Sequence, residues 1–200
     1  RLLRLINQLL DYRKVEEEKF ILKASITNLF DFSNNIIADF EREAKKLNID
    51  FSLVTNNPDL EVYIDRNLMD KVYFNLLSNA FKFTPAKGKI SIVINENKLK
   101  KEVKISFKDS GIGIPENELK EVFRAFYQGS NNFRNSSGIG LHLSKSFVDL
   151  HKGSVEVQSK NGTEFIIKLQ IGKEHLDPKS IVNTPALDFV NQNDYLDEEV

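Results

Sequence analysis

The chain has 200 residues, 40% of them hydrophobic and 28% charged. That is enough for one full domain with appendages, or for two small domains, around a sizeable core. Its net charge of −1 gives no general attraction to nucleic acid or anionic lipid, and the absence of cysteine excludes disulfides and thiolate metal sites and fits a reducing compartment. No apolar run is long enough to cross a bilayer, and no cleavable signal opens the chain. The chain starts inside a helical pattern at Arg1, without an initiator Met, and is therefore read as a piece of a longer protein.

Leu2, Leu5, Leu9 and Tyr12 recur at three-four spacing, with Leu3, Ile6 and Leu10 as a second stripe beside them. So wide an apolar face needs the partners of a helical bundle, which a homodimer would supply in part; the alternative is a core helix of the same domain. Phe20 to Ala24 reads as an extended connector, and a helix follows from about Thr27 to Leu47 with Ile26, Phe30, Ile36, Ile37, Phe40, Ala44 and Leu47 inward. Asp50–Val54 and Glu61–Ile64 are short strands on either side of the turn Asn56-Asn57-Pro58-Asp59.

A helix is expected from about Arg66 to Phe83, stopped by Thr84-Pro85 and Gly88. Leu68, Val72, Leu76 and Ala80 face inward, and Asn75, Asn79 and Lys82 share another stripe. Amide oxygens there can orient magnesium and the lysine can meet a phosphate, unless the stripe is simply a solvated face. Lys89–Asn95 and Glu102–Lys108 then form an antiparallel pair.

The second strand delivers Asp109 to the loop Asp109-Ser110-Gly111-Ile112-Gly113. A carboxylate at a strand end can accept a hydrogen bond from a base's exocyclic amine, and the two glycines let the backbone turn tightly; adenine suits such a site, although an ordinary strand-to-loop turn can carry the same residues. A short helix around Glu116–Val122 leads to Phe123-Arg124-Ala125-Phe126. The polar run from Gln128 to Ser137 is too poor in apolar residues to hold itself rigid, and reads as a lid. It ends at Gly138-Ile139-Gly140-Leu141, the start of a helix reaching His151, where glycines would leave backbone N–H groups open to phosphate. Ser154–Gln158 and Thr163–Ile171 form a closing hairpin, and from Gly172 the polar, acidic chain reads as a linker.

Taken in order, these segments resemble the ATP-binding half of a sensor histidine kinase of the GHKL type. Asn75 to Pro85 is similar to that family's asparagine box, Asp109 to Gly113 to its first glycine box, Phe123 to Phe126 to its phenylalanine box, Gly138 to Leu141 to its second glycine box, and Gly162 to Phe165 to its glycine-threonine element. The resemblance implies a Bergerat-type α/β sandwich, a mixed sheet covered on one face by three helices and preceded by one dimerisation-bundle helix. It divides the chain into bundle helix (1–19), ATP-binding catalytic domain (20–171) and linker (172–200).

ATP and Mg are the implied ligands. Asn79 would ligate magnesium with Asn75 assisting, Lys82 would contact phosphate, Asp109 would hold the adenine amine with Gly111 and Gly113 shaping that wall, and Thr163 would be a further cofactor-binding residue. Gly138, Ile139, Gly140 and Leu141 would wrap the phosphates, and Phe123 and Phe126 would anchor the lid and its contact with the phosphoacceptor helix. Asn75 stands where hydrolytic relatives carry a glutamate, and an amide cannot act as the base that activates water. Phosphoryl transfer to a histidine is thus favoured over the alternatives, a GHKL ATPase or a non-catalytic nucleotide-binding docking module.

Two departures from the pattern stand out. Ser136 or Ser137 occupies the region where the second glycine box usually opens with another glycine, and the phosphoacceptor histidine is missing. His142, His151 and His175 lack its setting and are expected in ordinary surface or helix-end roles. The tail resembles the linker to a receiver domain in hybrid kinases of Bacteroidetes type. The implied whole is an inner-membrane sensor with this portion in the cytoplasm, a homodimer acting on its own receiver or on a response regulator, and without direct nucleic-acid binding by this piece. A Rossmann site is excluded by Pro115 after the glycine pair, and scattered histidines without cysteine offer no other metal centre.

Overall fold

The computed structural model describes residues 2–130 and 137–183. Helix α1 (Leu2–Glu16) leads through a connector to strand β1 (Ser25–Asn28) and helix α2 (Leu29–Leu47). Strands β2 (Asp50–Thr55) and β3 (Glu61–Ile64), helix α3 (Arg66–Phe83) and strands β4 (Lys89–Asn97) and β5 (Glu102–Asp109) follow. Helix α4 (Gly140–Leu150) and strands β6 (Ser154–Gln158) and β7 (Thr163–Gln170) complete the domain.

The main sheet has the order β2-β4-β5-β7-β6, with β2 and β4 parallel and all other pairs antiparallel. Alternation in its central strands separates two faces. Ile90, Ile92, Ile94, Val103, Ile105, Phe107, Phe165, Ile167 and Leu169 are buried under α2, α3 and α4, which pack near β2, β5 and β6 respectively. Lys104, Lys108, Glu164 and Lys168 belong to the opposite, polar face, where Glu164 lies within 3.8 Å of Lys104 and 3.7 Å of Lys108. This is the expected sandwich.

Local details differ. Asp50–Thr55 and Glu61–Ile64 flank one turn but enter different sheets: β3 pairs with β1 in a two-stranded ribbon, and β2 runs along β4. Side-chain bonds from Asn56 and Asn57 to Glu96 hold the turn between them against β4. Helix α2 starts two residues later than expected, because Thr27 and Asn28 belong to β1 and the Asn28 side chain accepts the Asp31 N–H at 2.9 Å as an N-cap. Ile26, expected inward, is therefore on the ribbon and 49% exposed. The helix expected near Glu116–Val122 is a 3₁₀ turn at Glu116–Glu118 continued by further i to i+3 bonds through Tyr127.

The stretch after Gly172 is folded as far as residue 183, and not a free linker there. Leu176 is 6% exposed in the domain core, while Ala24 and Ile181 form a parallel bridge with N–H···O distances of 2.7 and 2.9 Å on either side. Its polar composition concealed an apolar anchor at Leu176. On α1, Leu3, Ile6, Leu9 and Leu10 point outward at 44–64% exposure, while Gln8, Asp11 and Tyr12 meet the domain. Among the described residues no helix is long and apolar enough to cross a membrane.

Candidate nucleotide site

Helix α3 sets the length of the site. The Asp65 side chain caps it by accepting the Asn67 and Leu68 N–H groups, and Pro85 cannot continue it. Its apolar stripe, Leu68, Val72, Leu76 and Ala80, is buried, which leaves Asn75, Asn79 and Lys82 on a different face. The Asn75 amide donates to the Gly140 carbonyl at 3.2 Å and to Ser144 Oγ at 3.4 Å, joining α3 to the start of α4. Asn79 is half-buried. Lys82 is exposed, with its ammonium 5.1 Å from the Phe83 ring centre.

At the other end of α3 the Phe83 carbonyl accepts the Ile112 N–H, placing the first glycine loop against the helix terminus. Asp109, half-buried at the end of β5, accepts the Gly111 N–H at 2.8 Å and the Thr163 N–H at 3.2 Å, both on Oδ1. Burial raises its pKa above the ordinary carboxylate value, outweighing the opposing effect of those bonds. Thr163 stands opposite Asp109 in the β5–β7 register. The preceding Gly162 has φ +90°, and a Cβ there would lie 1.9 Å from the Asp109 carbonyl oxygen, so only glycine lets the hairpin approach this strand. Ser159 Oγ ties that hairpin to the first glycine loop, accepting the Ile114 N–H and donating to the Gly162 carbonyl, each at 2.8 Å.

The second glycine segment begins at Ser137, whose hydroxyl donates to Gln8 Oε1 at 2.8 Å and accepts the Ile139 N–H at 3.3 Å. Gly138 (φ +69°) packs against Phe126 and Tyr127, and its carbonyl accepts the Phe126 N–H. The first intrahelical bond of α4 runs from Leu143 N–H to Ile139 O, which leaves the first-turn amides of Gly140, Leu141 and His142 pointing beyond the helix end. Ile139 is 2% exposed and Leu141 is partly buried against the core, so both would reach a ligand through backbone. Phe123 packs on Phe165, and its carbonyl is 3.2 Å from His142 Nδ1. Phe126 is 55% exposed, with its ring 5.2 Å from that of Tyr12. Most of the expected lid, including Ser136, lies outside the described residues.

Glycine boxes, asparagine helix and glycine-threonine hairpin thus gather into two joined ends, one at Asp109 and one at Gly140. Sequence reasoning missed Ser159, Tyr12, Gln8 and Glu118, whose partners are remote in sequence or, for Glu118, belong to an irregular turn. It also placed the histidines on the surface or at a helix end. His151 does end α4, but is 1% exposed, with Nδ1–H on the Phe147 carbonyl and Nε2 accepting the Asp65 N–H.

The family model for histidine kinase-, DNA gyrase B-, and HSP90-like ATPases matches residues 64–173. The chain belongs to this family. It is 35% identical over 190 residues to Histidine kinase P4 of Formosa agariphila, an alignment covering 91% of this chain but 14% of that protein. The nucleotide-free catalytic domain of histidine kinase ThkA superposes with a TM-score of 0.68 at 30% identity, covering 75% of this chain and 97% of that one. Full-length ShkA in complex with AMPPNP shares the fold, with a TM-score of 0.76 at 20% identity over 86% of this chain and 36% of that one. The described fold is that of a histidine kinase catalytic domain.

Proposed function

We propose that this chain binds ATP with magnesium and positions the γ-phosphoryl group for transfer to a histidine on a bundle helix, as the catalytic part of a two-component sensor kinase. One observation carries the reading. Along α3, Asn75 joins Gly140 at one point and Phe83 joins the Asp109 loop eight residues on, about 12 Å at helical rise. A carboxylate stands at one end and open helix-terminal amides at the other. Asp109 Oδ2, which takes neither backbone bond, would accept the adenine amine, with Gly111, Gly113 and Thr163 shaping the wall. The first-turn amides of α4 and Lys82 would meet the phosphates.

Asn79 fits magnesium, because its amide oxygen is a hard neutral donor of the kind that shares this ion with nucleotide phosphates, and no hydrogen bond to the described residues engages it. Asn75 stands one turn away to assist. Bound there, the ion would neutralise phosphate charge. The chain's own residues contribute orientation rather than covalent chemistry. The bond between γ-phosphorus and the bridging oxygen breaks, ADP leaves with that oxygen, and a histidine nitrogen forms the new bond. Asn75 cannot take a proton from water, and in this arrangement its amide is a donor to Gly140.

The outward apolar stripe of α1 supports a bundle helix over residues 1–19 that pairs in a homodimer, with the catalytic domain beginning at 20. The chain spans 14% of the length of Histidine kinase P4, so a membrane-anchored hybrid sensor, with a receiver after the tail or a separate response regulator, belongs to the same proposal. Titration calorimetry with AMPPNP, with and without magnesium, tests the pocket. Supplying a bundle helix with its histidine and following acid-labile phosphate tests the transfer. Magnesium-dependent binding followed by phosphohistidine is expected; binding with phosphate release and no phosphohistidine would make the domain a hydrolase, and no binding at millimolar ligand would make it a docking module.

A further inference from the structure

Glu118 has no part in the nucleotide contacts above, yet it is 9% exposed and its carboxylate is occupied. The Ser130 N–H is shared between Oε1 at 3.2 Å and Oε2 at 3.3 Å, and the Ser130 hydroxyl donates to Oε1 as well. The Glu118 carboxyl is held below the usual carboxylate range, chiefly by these Ser130 bonds, with the nearby Tyr127 hydroxyl acting in the same direction. Between them, Gly129 leaves room for this grip, since a Cβ there would stand 2.6 Å from Glu118 Oε2. A single acid on the 3₁₀ turn after the first glycine loop thus holds Ser130, at the end of the 127–130 segment.

The held segment is also joined to the second glycine segment. The Phe126 N–H donates to Gly138 O at 2.9 Å, and the Gly138 backbone packs closely on Phe126 and Tyr127. Two residues beyond Gly138 begins α4, whose opening amides form the phosphate end of the site. The Glu118 carboxylate is joined through Ser130 and the short run of chain back to Phe126 to Gly138 and the start of α4, and none of its own bonds goes to the Asp109 end. A carboxylate suits this task, because it accepts several N–H and O–H donors at once with charge-assisted strength.

We propose that Glu118 is a positioning residue for the triphosphate end of the nucleotide site, fixing Tyr127–Ser130 and through them the Gly138–Gly140 backbone. This rests on the ATP reading above. It separates the two ends of the ligand: adenine affinity depends on Asp109, and triphosphate affinity depends also on Glu118.

The test uses the full 200-residue chain and two probes, adenosine and magnesium-AMPPNP, with wild type, Glu118→Ala, Ser130→Ala and the double variant. Glu118→Ala is expected to weaken AMPPNP about tenfold and leave adenosine unchanged. Ser130→Ala, which keeps its backbone N–H, is expected to lose less, and the double variant no more than Glu118→Ala, because both remove one shared interaction. Glu118→Gln, retaining an acceptor oxygen, is expected to recover part of the loss. Unchanged AMPPNP affinity in Glu118→Ala overturns the proposal. So does an equal loss of adenosine and AMPPNP, or a lowered unfolding midpoint without ligand accounting for the change, since either marks a merely structural role. If wild type binds neither probe, the ATP reading itself fails and the positioning role falls with it.

Discussion

Asp11 on α1 and Lys71 on α3, 60 residues apart, form an ion pair that fastens the N-terminal helix to the helix carrying Asn75 and Asn79. Asp11 is 9% exposed, and the Lys71 ammonium also lies 5.8 Å from the Phe147 ring centre. One turn of α3 separates Lys71 from Asn75. The attachment of α1 thus reaches the edge of the candidate nucleotide site, and Tyr12 and Gln8 add contacts to Phe126, His142 and Ser137.

Removing this pair should loosen α1 before it unfolds the domain. Lys71 is 43% exposed at its side chain, so screening limits the pair to about 1 kcal/mol. Asp11→Asn is expected to speed hydrogen exchange in α1 while leaving exchange in β4, β5 and β7 unchanged. A uniform rise across the whole domain would show instead that α1 is integral to the core.

Asp109→Asn separates stability from binding. Burial raises the folded-state pKa of Asp109, so the folded domain holds that proton more tightly than the unfolded chain does. The stabilisation is full below the unfolded value of about 3.9 and is lost as pH rises through the raised folded value. At neutral pH the ionised carboxylate therefore costs stability, and Asn should raise the unfolding midpoint. Its Oδ1 can still accept the Gly111 and Thr163 N–H groups, but an amide nitrogen facing the adenine amine sets donor against donor. Adenine nucleotide affinity should fall about tenfold or more; a variant that is both less stable and equally tight would contradict the assignment.

His151 gives the opposite pH dependence. Desolvation lowers its pKa, and Nε2 is already occupied as acceptor for the Asp65 N–H, so the folded state resists protonation. Asp65 and His175 are the ionisable groups that act on it, and His175, at the start of the tail, is lowered by burial too. Stability from His151 is full above the unfolded value of about 6.5 and is lost as pH falls below it toward the folded value. Urea midpoints should therefore drop from pH 7.5 to 5.5. His151→Phe should flatten most of that slope while lowering stability at pH 7.5 by about 1–3 kcal/mol through the unsatisfied Asp65 N–H. A slope removed by His175→Asn alone would move the effect to the tail.

The regular helices and central strands were legible because each carries a period that burial obeys: Leu68, Val72, Leu76 and Ala80 on α3, and Val103, Ile105 and Phe107 on β5. The glycine segments were legible because positive φ at Gly138 and the approach of Gly162 to Asp109 admit almost no other residue. Contacts closed over long separations left no local trace. Nothing near Gln8 points to Ser137, nothing in Glu61–Ile64 selects β1 over β2 as its partner, and the i to i+3 course after Glu116 has no apolar period to reveal it. His151 ends α4 as its position in the sequence indicated, but its burial left no local trace, because its two ring nitrogens are satisfied inside by backbone groups.

The tail offers the sharpest contrast between composition and packing. A solvated linker tolerates substitution, but Leu176 is 6% exposed in the core and is followed by the bridge between Ile181 and Ala24, on the connector that leads from α1 to β1. Leu176→Ala should cost about 2 kcal/mol or more, the usual penalty for a large-to-small change at a buried site, read as a lower urea midpoint with unchanged slope. Ending the chain at 171 should lower it at least as far and expose the Leu22 to Ala24 backbone to exchange, because the Ala24 N–H then loses its Ser180 acceptor. If Leu176→Ala leaves the midpoint within 0.5 kcal/mol of wild type, as surface substitutions do, the tail is a linker from Gly172 onward and the domain ends where β7 does.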